Sequence, residues 1–458
     1  MSAILDILTR IKKPSPPPLQ PGLYDYRFET TGERSHVHLR CEPDDSGVLM
    51  VNASRVFHLN QSATFMAHLA LQNTPVSQAV YHLKNKYKIQ HQRVEDDYAQ
   101  FVNQLTELIR PDGVCPIHEL DLDVNPPFHK VPSAPYRMDL ALTYRCNNDC
   151  AHCYNARPRQ YPELSIQEWY SVLDRVWEIG IPHVVFTGGE PTLFQGLPDL
   201  IRYAEHKGFI TGLNSNARRL SDDNFLNKLL ASGLDHVQIT VESHDPEIHD
   251  RLVQSNAAWV QTIAGLQNAL KTPLYVMTNT TLLKQNSLYL EQTLEYLASL
   301  GVPTIGLNAL IYSGHGKTVG SGLNEMELAP LLALARERTE KSGQRLIWYT
   351  PTQYCNFDPM QLDLGVKGCT AALYNMCIEP DGGVIPCQSY YHKLGNLLTD
   401  PWDSIWKHPL SINLRERCYI HDECKGCTFL QECGGGCPLT MELGDDFIPS
   451  QINLFKEV

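Results

Sequence analysis

The stretch Leu140-Ala141-Leu142-Thr143-Tyr144-Arg145-Cys146-Asn147-Asn148-Asp149-Cys150-Ala151-His152-Cys153-Tyr154 decides how the rest of the chain is read. An apolar run, Met138–Leu142, leads into three cysteines with CxxxCxxC spacing. That spacing supplies three thiolates, whereas a cubane iron–sulfur cluster has four irons to ligate. One iron is therefore left open to bind a substrate or cofactor. A structural zinc site would want a fourth thiolate or a histidine, for which His152 is the neighbouring candidate.

Outward from this loop, apolar runs alternate with amphipathic stretches. The runs are Met138–Leu142, His183–Phe186, Phe209–Leu213, Val237–Val241, Leu274–Thr278 and Thr304–Ala309, with helical periodicity in segments such as Ile166–Ile179 and Leu197–His206. Repeated strand–helix units predict a parallel sheet, and six of them predict a partial (β/α)6 barrel of the α/β class. In such barrels the site lies at the carboxyl ends of the strands. Polar and glycine motifs follow that rule. Cys146 follows the first run, Gly188-Gly189-Glu190-Pro191 the second, Asn214-Ser215-Asn216 the third, and Glu242-Ser243 the fourth.

The three-cysteine loop followed by Gly-Gly-Glu-Pro resembles the radical S-adenosylmethionine superfamily, over essentially all of the barrel segment. The resemblance implies that the open iron chelates the methionine moiety of S-adenosylmethionine, and that reductive cleavage yields a 5′-deoxyadenosyl radical that abstracts a substrate hydrogen. It also implies cofactor contacts by residue matching. Gly188, Gly189 and Glu190 would approach the methionine amino group. Asn216 stands in a turn that relatives write Thr-Asn-Gly, with Ala217 departing from that glycine. Thr240 and Glu242 match a strand end that meets the ribose. Arg251 is placed to pair with a carboxylate, or else is a solvated helix charge. His152 holds the usually aromatic position near the adenine.

After about Thr350, strand and helix signals weaken and cysteines crowd. Of the fourteen cysteines, nine lie beyond residue 350. Cys369, Cys377 and Cys387 surround a Pro380-Asp381-Gly382-Gly383 turn, and Cys424-x2-Cys427-x5-Cys433-x3-Cys437 follows. Such a segment is expected to be held by metal rather than by a large core. It resembles a SPASM domain, the auxiliary-cluster module of radical enzymes that modify peptides. The resemblance implies one 4Fe–4S cluster on Cys369, Cys377, Cys387 and Cys437 and another on Cys424, Cys427 and Cys433, giving three clusters in all. Relatives often add a cysteine after the last CxxxC, and none follows Cys437. Cys418, just upstream of Cys424, is the favoured replacement, with Asp445, Asp446 or no ligand as alternatives. Cys355 stands outside the pattern. It is a candidate hydrogen-atom donor of the kind radical epimerases use, an extra ligand, or a buried small apolar residue.

Ahead of the barrel, residues 36–112 read as a small α+β unit. Val48–Val51 and Val56–Leu59 predict two short strands around an Asn-Ala-Ser turn. Asn60-Gln61-Ser62 predicts a helix cap, and two more helices follow at Pro75–Gln78 and Val94–Ile109. This patterning resembles the winged-helix-like peptide chaperone of pyrroloquinoline quinone synthesis. The resemblance implies that a leader peptide adds as a strand to an exposed sheet edge. The basic run Lys84-Asn85-Lys86-Tyr87-Lys88 suits an acidic leader, or is a solvated helix end. The expected organisation is thus a tail and Pro-rich spacer (1–35), a peptide-recognition domain (36–112), a linker (113–136), the barrel (137–350) and the cysteine-rich iron–sulfur domain (351–458).

Composition narrows the function classes. The formal charge of -13 over 458 residues disfavours nucleic-acid binding. No apolar run is long enough to span a membrane, and Met1–Lys13 lacks the apolar core of a signal peptide. Reduced thiols and a cytoplasmic location are expected. The expected partners are a precursor peptide of leader plus core and an electron donor such as flavodoxin or ferredoxin. Two other readings remain: radical modification of a protein or small metabolite with a merely structural amino-terminal unit, and a non-catalytic metal-binding scaffold.

Overall fold

The computed structural model describes residues 19–30, 33–52, 55–87, 91–109 and 131–441. The amino-terminal amphipathic stretch and most of its spacer, Ala53 and Ser54 of the first turn, Lys88 of the basic run, residues 113–130 of the linker, and Asp445 and Asp446 lie outside the described residues. The chain divides into two compact units, Met1–Pro126 and Pro127–Val458.

The first unit is a four-stranded antiparallel meander, β1 (Gly22–Thr30), β2 (Glu33–Cys41), β3 (Gly47–Val51) and β4 (Arg55–Leu59), in the order β1-β2-β3-β4. Three helices follow, α1 (Gln61–Leu71), α2 (Val76–Tyr87) and α3 (His91–Ile109). Helix α1 starts where its cap predicts, with the Asn60 side chain accepting the Ala63 N–H at 2.9 Å. Val37, Leu39, Leu49 and Val51 from the sheet pack on Ala67, Leu71 and Leu105 from the helices. The hairpin of β1 and β2 was not anticipated; β1 and the first residues of β2 precede residue 36. Its signal is the alternation of Tyr24, Tyr26 and Phe28, which lie on one face of β1 and pack against the same core.

The second unit is built on one ten-stranded sheet. Seven strands run parallel: β5 (Arg137–Thr143), β6 (His183–Gly188), β7 (Ile210–Ser215), β8 (His236–Thr240), β9 (Tyr275–Leu282), β10 (Thr304–Ala309) and β11 (Arg345–Trp348). Their crossovers carry α4 (Ile166–Ile179), α5 (Leu197–Lys207), α6 (Asp223–Ala231), the pair α7 (Pro246–Val253) and α8 (Ala258–Leu270), α9 (Leu290–Ser299) and α10 (Glu325–Ser342). Six of these strands match the expected runs, and β11 is a seventh. The sheet stays open, with β11 at one edge, so the α/β partial barrel is as expected.

Local signals explain the helix ends. Ser165 and Glu168 form a reciprocal capping box at the start of α4, and Gly180 closes it in the left-handed region at φ 93°. Trp169, Val172 and Val176 on its inner face are fully buried against Met138, Val184 and Phe186 of the sheet. Burying each large apolar side chain of this kind contributes roughly 1.5–3 kcal/mol.

At the other edge, three short strands extend the barrel sheet: β12 (Asn375–Ile378), β13 (Gly383–Ile385) and β14 (Gly395–Asn396). Strand β12 runs parallel to β5, with Cys377 opposite Asp139, and β13 and β14 continue antiparallel. The start of the cysteine-rich segment is thus part of the same sheet, and Met376, Ile378 and Val384 join the barrel core. Among the described residues, no helix is long and apolar enough to cross a membrane.

Candidate metal centre

Strand β5 ends at Thr143, and the three-cysteine loop follows at the carboxyl edge of the sheet. Its backbone is held from several sides. The Asp149 and Ala151 N–H groups donate to the carbonyls of Val253 and Leu252, at the end of α7, at 3.0 and 2.9 Å. The His315 N–H donates to the Cys153 carbonyl at 2.8 Å, and the His315 ring Nδ1 lies 3.1 Å from the Cys150 carbonyl. Gly314 adopts φ 52°, and a Cβ there would sit 2.5 Å from the Asn155 carbonyl oxygen. That close approach requires glycine.

Two arginines that the sequence reading passed over complete the bracing. Arg218, after β7, donates to the Asn147 carbonyl, to Asn148 Oδ1 at 2.7 Å and to Ser255 Oγ at 2.8 Å. Arg159 donates to the Asn148 carbonyl at 2.9 Å and to Asp149 at 2.8 Å. Burial pushes the thiols of Cys146, Cys150 and Cys153 up. The Arg159 charge pulls Cys146 and Cys153 back down, which favours the thiolate form that metal binding needs.

Gly188 and Gly189 approach this loop closely. A Cβ on Gly188 would meet the Thr143 carbonyl oxygen at 2.2 Å, and one on Gly189 the Arg145 carbonyl oxygen at 2.4 Å. The space that the two glycines free is therefore taken by the cysteine loop. Glu190 is 1 % exposed, and its carboxylate accepts from the Thr192 N–H and hydroxyl, Ser215 Oγ and the Asn216 N–H at 2.7–3.1 Å. These bonds tie the ends of β6 and β7 together. Asn216 is similarly engaged, its Nδ2 donating to Asn147 Oδ1 at 2.7 Å. Ala217 adopts φ 59°, the left-handed conformation that explains a glycine in relatives.

A second polar group gathers around Glu242, which is 1 % exposed. Its Oε1 lies 3.0 Å from His152 Nε2, and its Oε2 accepts the Thr281 N–H at 3.0 Å. The Glu242 backbone N–H donates to His249 Nδ1 at 3.2 Å. His249 Nδ1 is therefore the acceptor, and Nε2 carries the proton in the neutral ring. Burial lowers the His249 pKa and keeps it neutral. His152 Nδ1, His249 Nε2 and Asn279 Oδ1 are buried without a hydrogen-bond partner. Such atoms normally have one, so a polar ligand at these strand ends fits the geometry. His249, two residues before Arg251, is not singled out by the sequence; it sits inside α7, nine residues past the end of β8, and only the fold brings it back to Glu242. Thr240 is half-buried at the end of β8, opposite Asn279. Arg251 is exposed on α7, and among the described residues it makes no hydrogen bond or ion pair, as a solvated helix charge does.

In the tail, Cys369, Cys377, Cys387 and Cys437 are brought together. Cys369 is pushed up by burial and then by Cys437 and Cys387; Cys377 by burial and then chiefly by Asp139 and Cys387. Cys387, raised to about 12 by burial, also feels Cys437. Tyr154, next to Cys153, is half-buried and donates to Gln388, next to Cys387, at 3.2 Å. The pair of half-buried Arg157 and buried Glu379, at 2.6 and 2.9 Å, also joins the two regions.

Cys424, Cys427 and Cys433 form a separate, more exposed group; Cys424 is raised by burial, then by Cys433 and Cys427. Cys418 is exposed. Cys355 is exposed as well, so it is not the buried apolar residue that was one expectation, and it lies in a turn against Cys433. All the described cysteines are free. No three cysteine sulfurs among the described residues lie within 4.8 Å of one another. Thiolates sharing one tetrahedral zinc at about 2.3 Å would sit roughly 3.8 Å apart.

Three family models match parts of the chain. Residues 140–307 match the radical SAM superfamily, 369–428 the SPASM iron–sulfur cluster-binding domain, and 47–108 the coenzyme PQQ synthesis protein D. Fe-coproporphyrin III synthase of Methanosarcina barkeri is 28% identical over 324 residues, which cover 64% of this chain and 81% of that protein. The fold resembles Streptococcus suis SuiB bound to precursor peptide SuiA, with TM-score 0.68 and 15% identity over 92% of this chain and 97% of that one. It also resembles native anSMEcpe with bound AdoMet and Cp18Cys peptide, with TM-score 0.54 and 17% identity over 68% and 91% of the two chains.

Proposed function

We propose that this chain, a radical S-adenosylmethionine enzyme with SPASM and PqqD modules, matures a ribosomally made precursor peptide. The leader binds the unit at 36–112, adding as a strand to an edge of its sheet. A residue of the core peptide loses a hydrogen atom at the barrel, leading to a crosslink, an inverted stereocentre or a backbone excision. One observation carries this reading: a PqqD match sits in the same chain as a fold that resembles, over 92% of its length, SuiB bound to precursor peptide SuiA.

The residues have these tasks. Cys146, Cys150 and Cys153 hold the first cluster. When bound, S-adenosylmethionine and the reduced cluster supply a hydrogen-abstracting radical. His152 and His249 offer their open ring nitrogens to the cofactor, beside Thr240 and Glu242. Gly188, Gly189, Glu190 and Asn216 set the strand ends around it. Cys369, Cys377, Cys387 and Cys437 hold one auxiliary 4Fe–4S cluster and Cys424, Cys427 and Cys433 another, making three. A flavodoxin or ferredoxin in the cytoplasm delivers electrons, since free thiols and reduced clusters need a reducing compartment.

The test is anaerobic reconstitution followed by reaction with dithionite, S-adenosylmethionine and a peptide encoded beside this gene. A mass change in the core that requires the leader, with 5′-deoxyadenosine released, is expected. A second reading follows from the relative that makes Fe-coproporphyrin III: the substrate is a porphyrin-like metabolite and the amino-terminal unit is structural. Turnover of coproporphyrins, with no response to any leader peptide, would favour it and overturn the first.

A further inference from the structure

We propose that Cys355 is the fourth ligand of the second auxiliary cluster, completing Cys424, Cys427 and Cys433 from upstream in the chain. The proposal rests on the reading of the tail as an iron–sulfur module. It supplies a fourth thiol to a group that otherwise has three.

The segment Thr352–Asn356 lies directly on the second cysteine group. The Tyr354 N–H donates to Cys433 Sγ at 3.4 Å, and the Cys433 thiol donates to the Thr352 carbonyl at 3.5 Å. Gln353 Nε2 reaches the Gly435 carbonyl at 3.4 Å, and the Tyr354 ring packs 6.3 Å from that of Phe429, which follows the CxxC pair. The residues on both sides of the Cys433 sulfur are thus 352 and 354, and Cys355 comes next. After burial and the carboxylate of Glu325, the groups acting on the Cys355 thiol are Cys433 and Cys424.

Glu325, in the first turn of α10, holds the turn from the other side. Its Oε1 accepts the Gln353 N–H at 2.7 Å and its Oε2 accepts from Asn356 Nδ2 at 2.8 Å. Clamped between Glu325 and Cys433, the turn presents Cys355 in a fixed place before any metal arrives. Glu325 is in this sense a positioning residue. Cys418 is the rival: its neighbours also bond beside Cys433, Arg417 to the Gln431 carbonyl at 2.8 Å and Tyr419 to the Gly434 carbonyl at 3.0 Å. What favours Cys355 is the bonding of its own turn to the Cys433 sulfur itself, from Thr352 and Tyr354.

Full-length protein reconstituted without oxygen tests this by iron and sulfide content, EPR and Mössbauer spectra. Wild type is expected to hold about twelve irons, from three cubanes. Cys355→Ala should lose about one iron or one whole cluster, with an oxidised three-iron EPR signal if the rest stays, while 5′-deoxyadenosine formation persists at the untouched first cluster. Cys355→Ser should keep the iron and shift the cluster's potential, because oxygen replaces sulfur. Cys418→Ala should match wild type. Unchanged spectra in both Cys355 variants, or the iron loss appearing in Cys418→Ala, would overturn the proposal. A wild-type protein with iron at the first site and none in the tail would instead overturn the parent reading and this proposal together.

Discussion

The three-cysteine loop and the second tail group both present three closely spaced thiols, yet the fold treats them differently. Around Cys146–Cys153, α7, the Gly314–His315 turn, Arg159 and Arg218 all bond to the loop backbone. Around Cys424–Cys433, most residues apart from Cys433 are at least partly exposed and joined by tight turns, with the Thr352–Asn356 segment, Arg417 and Tyr419 as outside support. A site that must keep one vertex free for a ligand needs its other three fixed by protein, since the metal alone does not set their positions. A site meant to be fully ligated can let the cluster do the folding.

The strongest test of this contrast is Cys146→Ala. Loss of a direct ligand should cut 5′-deoxyadenosine formation by more than about a hundredfold, while the tail clusters keep their spectra. Equal loss at all clusters would mean that the two regions are not independent. Next in size is Glu379→Ala, which leaves Arg157 unpaired between the loop and the first tail group. Because Arg157 is half-buried and can reach water, the cost should be about 1–3 kcal/mol, read by denaturant unfolding; a double change of Arg157 and Glu379 to leucine should cost less. Arg218→Met removes the brace without touching a thiol. It should weaken iron retention at the first cluster by about ten- to a hundredfold, read by chelator competition, with no change in the tail.

The smallest effect serves as a control away from both sulfur groups. His183 and His236 open β6 and β8, with their Nε2 atoms 2.9 Å apart. Burial, and secondarily Arg137, lowers the His236 pKa to about 3. Above the ordinary value of about 6.5 the ring is neutral in both folded and unfolded chains and costs nothing. As pH falls from there towards 3, only the unfolded chain takes the proton, so stability is lost through that window. At pH 5.5 the loss is about 1.4 kcal/mol, seen as a lowered denaturation midpoint that His236→Gln should not share.

Much of the architecture was readable along the chain. Strand–helix alternation placed six barrel strands, and cysteine spacing marked all three thiol groups, because periodicity and ligand spacing are local properties. Strand β11 escaped because its apolar run, Leu346-Ile347-Trp348, is only three residues long and stands against the tail where strand signals weaken. The β1–β2 hairpin escaped because its aromatic alternation stands beside a proline-rich stretch that reads as spacer. Glu190 and Asn216 were picked out by motif, but their bonding partners come from β6, β7 and the cysteine loop together.

Chain order alone therefore established which chemistry this protein carries: a three-thiolate loop at the end of a parallel strand, and a cysteine-rich tail. It had no means of pairing β12 with β5, since Asn375 and Arg137 meet only across the assembled sheet. Nor could it bring Arg218 to the cysteine loop or Cys355 to Cys433. Spacing along the backbone reports residues that meet within a turn, whereas these contacts close loops of tens to hundreds of residues, and their geometry exists only once the core has packed.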